Sequence, residues 1–267
     1  MFKPAADVAA GLTIYSDIFF QYGVLTAYIH ALALKVFGKY LLVIRLEAAI
    51  FLIGIAFLLF LFAKKSVNNS VAAATVLVWL SLSPYFGSPL LPWSSIYALF
   101  FVLVAGTLLF SALDPRKKPL KTYWLCLAAG LAISAAFWAR QPVGLLLPVA
   151  FLIFPILLLD RSYALKTIIY GAFGYVLGFL FLTVIFLAHL LFSGAINDWW
   201  IQSIVGATSF ASEMKNLEKS FLGDVVDHLF PWSPRSNRIQ GIGGGFIWSL
   251  LPVFTVVTFI ATLLRIV

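Results

Sequence analysis

The chain has 267 residues, of which 63% are apolar and only 10% charged, and its mean hydropathy is +1.04. Soluble domains are roughly half apolar and a quarter charged, so this chain cannot hide its hydrophobic surface from water and its solvent is lipid. The net charge of +8 has no soluble basic face to occupy, which argues against nucleic acid; in a membrane protein Lys and Arg act as topology signals on cytoplasmic loops.

In chain order, residues 1–40 read as an outer loop with a juxtamembrane helix. Within them Tyr22–Phe37 is an apolar segment of about 16 residues, short of the roughly 20 that a span needs, with His30 near its middle. Spans are expected at Leu41–Ala63, Val71–Tyr85, Ser95–Leu113, Tyr123–Ala139, Val143–Leu159 and Thr167–Phe192, which makes 41–192 a six-span bundle. Residues 193–245 read as a long extracytoplasmic loop containing an amphipathic stretch, Ser212–Trp232, and 246–267 hold a last span, Phe246–Leu264. The expected fold is all-α: a polytopic transmembrane bundle of about seven spanning helices, with a surface helix in the first outer loop and a long outer loop. Cys126 is the one cysteine and sits in an apolar run, so no disulfide framework is available.

The loops alternate in charge. Lys64 and Lys65, the stretch "DPRKKPLK" (Asp114–Lys121), "DRSYALK" (Asp160–Lys166) and Arg265 follow alternate spans, and the short loops "SPYFGSPLLPWSS" and "ARQPVG" carry only Arg140 between them. The positive-inside rule makes the basic set cytoplasmic, which puts Asp17 and Arg140 outside. The first loop then has two readings. Either Tyr22–Phe37 is itself a short outward span, or an upstream helix has been lost and the segment lies on the outer surface. The second is preferred.

The motifs of common soluble chemistry are absent: there is no P-loop, HExxH, CxxC or DxD, and the glycines of "GIGGGF" follow no strand. "NNS" at Asn68 is a formal glycosylation sequon in a loop expected to be cytoplasmic, and His189 reads as a satisfied interfacial histidine. Polar groups at or near lipid are more telling, since their default reading is functional. Arg45 and Glu47 enter the span at Leu41; two residues apart, they do not face each other, and each needs a partner elsewhere. Glu47 reads equally well as a clamp between helices. Arg140-Gln141 occupies an outer turn at headgroup depth, where a cation suits a lipid phosphate or simply snorkels. Trp199 and Trp200 beside Asp198 read as interfacial anchors or as a platform for a sugar ring.

Three stretches resemble membrane-embedded glycosyltransferases of the GT-C type, the class that includes protein O-mannosyltransferase-like enzymes and bacterial enzymes using polyprenyl-phosphate sugars. The first is Gly11, Tyr15, Asp17, Gln21-Tyr22-Gly23-Val24-Leu25, Val36-Phe37-Gly38 and Arg45, with Val24 where the family often has Pro. The second is "GLAISAAFWARQPVGLLLP" (Gly130–Pro148) and the third is "NDWWIQSI" (Asn197–Ile204). The resemblance implies a bacterial plasma-membrane enzyme that moves a sugar from a polyprenyl-phosphate carrier to a glycan, lipid or protein hydroxyl on the non-cytoplasmic face, with inversion. It also implies a spanning helix ahead of the first loop, followed by an acidic residue.

Such chemistry needs a carboxylate base for a hydroxyl of high pKa and a cation for the departing phosphate. The expected assignments are Asp17 as base with Asp7 as the other candidate, Arg140, Gln141 and Arg45 at the donor phosphate, and Tyr22, Trp93 and Trp199 at the sugar or acceptor. Some relatives use a divalent metal, but no ligand cluster demands one and no cofactor is required. Expected partners are the lipid-linked sugar, its acceptor and membrane lipid. The competing readings are a transporter or flippase, which would place polar groups at the bilayer midplane, and a non-catalytic fragment.

Overall fold

The computed structural model describes residues 1–64, 67–82, 92–112, 118–141 and 165–206. The expected spans Val143–Leu159 and Phe246–Leu264, the amphipathic stretch 212–232 and the glycine run 241–245 lie outside the described residues. Among those described, regular structure is helical with no strand. The helices are α1 (Phe2–Ala9), α2 (Val24–Phe37), α3 (Leu41–Ala63), α4 (Asn69–Leu82), α5 (Ser94–Ala112), α6 (Pro119–Ala139), α7 (Leu165–Phe192) and α8 (Ile196–Trp199), the last continuing as a π-helical turn, Trp200–Val205.

Four of these are long and apolar enough to cross a membrane: α3, α5, α6 and α7 from Lys166, with mean hydropathies of 2.6, 2.1, 1.5 and 2.4. The protein is therefore an integral membrane protein. Helix α4 has 14 residues, and the expected span there runs on to Tyr85, beyond the described residues. Local signals set the helix starts. Pro119 opens α6, where its missing N–H costs nothing. Asn68 caps α4 by accepting the Val71 N–H at 2.9 Å, which gives this residue a structural role whatever its sequon suggests.

Ring contacts and close approaches fix the helix directions. Phe51 lies 4.6 Å from Tyr97 and Phe62 lies 5.5 Å from Phe110, so α3 and α5 run parallel. Ala98 clusters with Ala139, and Leu109 with Cys126, so α5 and α6 are antiparallel. Helices α6 and α7 are parallel: Gly174 lies against Tyr123, Gly178 against Leu127, and Trp138 is 5.2 Å from Phe186.

Helix α6 is the centre, with 61% of its apolar window buried against 17% in α3 and in α7. In lipid there is no hydrophobic drive between helices, so association depends on close packing and interhelical hydrogen bonds. Gly130, Gly174 and Gly178 let the α6 and α7 backbones touch; a Cβ on Gly130 would strike the Tyr175 carbonyl and one on Gly178 the Leu127 carbonyl. Ser134 and Thr183 hydrogen-bond across the same seam at 2.8 Å. On the other side Ile50, Ile53 and Phe57 of α3 are 67%, 68% and 59% exposed, an apolar face suited to lipid tails.

The two ends of the bundle differ. Lys64, Lys118, Lys121 and Lys166 lie at one, here called the lysine end, while Lys3, Lys35, Lys39, Arg45 and Arg140 lie at the other. At the other, here the rim, α3 and α5 begin and α6 and α7 end. Helix α2 touches the rim along its whole length. Its N-cap Gly23 sits against the Trp138 carbonyl, Thr26 Oγ1 donates to the Ala139 carbonyl at 3.2 Å, Tyr28 meets His189, and Leu34 packs on Ile44. Both ends of α2 therefore contact the same end of the bundle, and Tyr22–Phe37 does not run alongside the spans.

Candidate functional site

The rim is built from three separate parts of the chain that interlock. The first is the loop 11–22. Gly11 (φ 100) and Tyr15 (φ 71) take left-handed backbone conformations that fold it into a compact turn. Asp17 stabilises that turn: its Oδ2 accepts the Thr13 N–H at 2.7 Å, and its own N–H donates to the Thr13 carbonyl at 3.0 Å. The buried Tyr15 hydroxyl donates to the Tyr22 carbonyl.

The second part is the end of α6. Trp138 is fully buried and lies in one apolar cluster with Ile14, Tyr15 and Phe20 of the first part, with Val24 at the start of α2, and with Leu190, Ala195 and Trp199. The third is the π-helical turn, which Gly194 (φ 70) makes reachable by turning the chain back at the end of α7. Gln202 clamps it to the loop: its Oε1 accepts the Phe20 N–H at 2.9 Å and its Nε2 donates to the Tyr15 carbonyl at 2.9 Å. Trp199 packs against Trp138 in a tilted arrangement, their ring centroids 5.4 Å apart and their planes 33° apart.

Burial pushes the Tyr15 phenol above its ordinary range, and the nearby Ser203 and Gln141 side chains pull it back only in part. Gln141 is 1% exposed. Its amide is close enough to influence the phenol, yet neither polar atom makes a hydrogen bond of good geometry among the described residues.

Beside this assembly is a cleft of about 470 Å³, lined among others by Phe2, Tyr22, Ile44, Trp93, Ser94 and Arg140. Arg140 leaves the end of α6, donates to the Ser95 hydroxyl and lies 5.9 Å from the centre of the Tyr22 ring. Ser94 and Ser95 form the first turn of α5, so the positive end of that helix opens here. The Ser94 hydroxyl is buried and has no hydrogen-bond partner among the described residues. A guanidinium, a helix N-terminus and an unengaged hydroxyl together suit an oxyanion, and Tyr22 and Trp93, the latter 52% exposed, add aromatic surface.

Of the residues expected from the sequence, the cleft unites Arg140, Tyr22 and Trp93. Gln141 is buried beside Tyr15 and does not line the cleft. Trp199, 8% exposed, is a packing residue of the rim core. Asp17 is exposed on the loop and Asp7 pairs with Lys3 at 3.5 Å across one turn of α1; neither lines the cleft. Arg45 does not line it either, and its Nε is buried without a hydrogen-bond partner among the described residues. Glu47 finds a partner on another helix: its Oε2 and His30 Nδ1 are 2.7 Å apart, with the Tyr97 ring 5.1 Å from the imidazole. The clamp reading of Glu47 accounts for it, and this tie also explains the buried His30. His189 is likewise engaged, with Tyr28 at 2.5 Å. Among the described residues no group of three or more His, Cys, Asp or Glu is placed to hold a metal ion.

Sequence reasoning passed over Gln202, Ser94 and Ser95. Gln202 stands inside a stretch singled out for its tryptophans, and nothing in one sequence marks a Gln as a clamp 182 residues away from its partner. The serines look like ordinary helix-start residues. Their meaning comes from Arg140, which is distant in the chain. No family model, curated protein or solved structure matches this chain.

Proposed function

We propose that the protein is a membrane glycosyltransferase that takes a sugar from a polyprenyl-phosphate carrier, with the rim cleft holding the donor's phosphate and sugar. The observation that carries the reading is the cleft: Arg140, the α5 N-terminus and Ser94, whose buried hydroxyl has no hydrogen-bond partner among the described residues, converge beside the aromatic rings of Tyr22 and Trp93, and in this reading they receive the phosphate. Described parts of the three stretches that resemble the GT-C class meet at the rim, where Trp138 clusters with Tyr15 and Trp199 and Gln202 bonds to Phe20, and this supports treating them together. The lysine end, by the positive-inside rule, faces the cytoplasm, so the rim and its surface helix α2 face outward, as in a bacterial plasma membrane.

In this reading the acceptor oxygen attacks the anomeric carbon as the bond from that carbon to the phosphate oxygen breaks. The phosphate leaves with the electron pair, Arg140 and the α5 N-terminus balance its charge, and the acceptor's proton passes to a carboxylate. Asp17 is the proposed base: it lies on the same rim with one carboxylate oxygen, Oδ2, tied to Thr13. Asp7, held by Lys3, is the second candidate. In-line attack inverts the anomeric centre.

Sugar transfer from a labelled polyprenyl-phosphate donor tests the roles separately. Arg140→Ala is expected to lower transfer by about a hundredfold or more. Asp17→Asn should lower it by about 10²–10⁴ while donor binding survives. Full activity in the Asp17 variant would pass the base role to Asp7.

A further inference from the structure

We propose that the lysine end of α6 carries a second, independent binding site whose ligand is an anionic phospholipid. A groove of about 420 Å³ is lined there by Lys118, Leu120, Lys121, Trp124 and Leu125. Leu120 and Trp124 are 63% and 58% exposed, while Thr122, Cys126 and Ala129 on the other face of the helix are buried. The groove therefore opens away from the bundle, towards lipid.

Its chemistry is graded along the helix axis in the order of a phospholipid. Lys118 and Lys121, with Leu120 between them, come first, Trp124 next and Leu125 last, seven steps along the chain from Lys118 and so about 10 Å at 1.5 Å per residue. That distance takes a ligand from headgroup to acyl chain, with Trp124 at the depth where tryptophans favour the interface.

The electrostatics ask for an anion. Lys118 is the N-cap of α6, Lys121 sits in its first turn, and no acidic residue does. Two cations at the positive pole of a 21-residue helix oppose the macrodipole, and a phosphodiester bound between them turns that opposition into attraction. In the sequence the same stretch, Asp114–Lys121, sets four basic residues against one acid. A topology signal alone needs the charges but neither the groove nor the graded wall.

The test is native mass spectrometry of the whole chain released from membranes of mixed phosphatidylcholine and phosphatidylglycerol, with lipid affinities read from titration. The wild type should retain phosphatidylglycerol in preference to phosphatidylcholine. Each lysine near an anionic surface is worth about a factor of five, so Lys118→Gln with Lys121→Gln should weaken phosphatidylglycerol about thirtyfold and leave phosphatidylcholine unchanged. Lys121→Gln alone, the milder variant, should weaken it about fivefold. Trp124→Ala should weaken both lipids. Equal retention of the two lipids by the wild type, undiminished phosphatidylglycerol binding in the double variant, or displacement of the lipid by millimolar inorganic phosphate would overturn the proposal.

Discussion

Gln202→Leu should release the loop 11–22 from the rim. The glutamine makes two hydrogen bonds of 2.9 Å to backbone groups 182 and 187 residues away, and leucine keeps much of the volume while removing both. Each bond is worth about 1 kcal/mol net, and each backbone group left without a partner costs about 1–3 kcal/mol when buried. Gln202 is half-buried, so water rescues part of this and the expected loss is about 2–3 kcal/mol of local stability. Hydrogen exchange at the Phe20 amide reads it directly, because that N–H donates to Gln202 Oε1. Local opening should become easier by about thirtyfold or more, with exchange rising in proportion. Gln202→Glu separates the two bonds: it keeps an acceptor for Phe20 but sets a carboxylate against the Tyr15 carbonyl, so Phe20 should stay better protected than in the leucine variant. Wild-type protection of Phe20 in Gln202→Leu would show that the clamp does not hold the loop.

Three further outcomes follow from the packing. Gly178→Val should destabilise the bundle by about 3 kcal/mol or more in a reversible unfolding titration, since its Cβ would overlap the Leu127 carbonyl and backbone cannot move aside cheaply; an unaffected midpoint would dismiss the seam. Glu47→Ala should cost about 2 kcal/mol and loosen α2, because it strips the buried His30 of its partner, whereas Glu47→Gln should cost less. Tyr15 supplies a pH dependence. Its pKa is raised in the folded state, so the folded protein keeps a proton that the unfolded chain surrenders above about pH 10. Its contribution is full below that pH and drains away as pH rises towards the folded value. Tyr15→Phe should lose about 1 kcal/mol at neutral pH, from the bond to Tyr22, and should show a shallower alkaline decline; an unchanged alkaline slope would remove Tyr15 as a cause.

The helices were legible because lipid makes hydropathy a direct signal. The expected Leu41–Ala63 coincides with α3, and Ser95–Leu113, Tyr123–Ala139 and Thr167–Phe192 differ from α5, α6 and α7 by a few residues at their ends. The same uniform greasiness hid the packing faces: α3 carries apolar residues both towards its neighbours and towards lipid, so composition could not say which face was which. The glycine pair Gly174 and Gly178, four apart, was a readable sign of close helix approach that the sequence reading did not use. Of the site, Arg140, Tyr22 and Trp93 were nameable in advance as polar or aromatic groups at the rim. The convergence of Tyr22 and Arg140 with Trp93 and Ser94, and the packing of Trp199 on Trp138 and of Gln141 near Tyr15, depend on contacts more than forty residues apart in sequence, which no local pattern encodes. Gly11, Gly23 and Gly38 stood out as parts of a motif, and each has a local reason: positive φ at the first and last, and the Trp138 carbonyl against the second.

The most direct test of the proposed activity is the release of free polyprenyl phosphate from a labelled polyprenyl-phosphate sugar, followed in lipid nanodiscs with the whole chain and with Arg140→Ala side by side. The account predicts acceptor-dependent release by the wild type and its loss in the variant by about a hundredfold or more. Failure of the wild type to bind or consume the donor, or equal release by the two proteins, would contradict it.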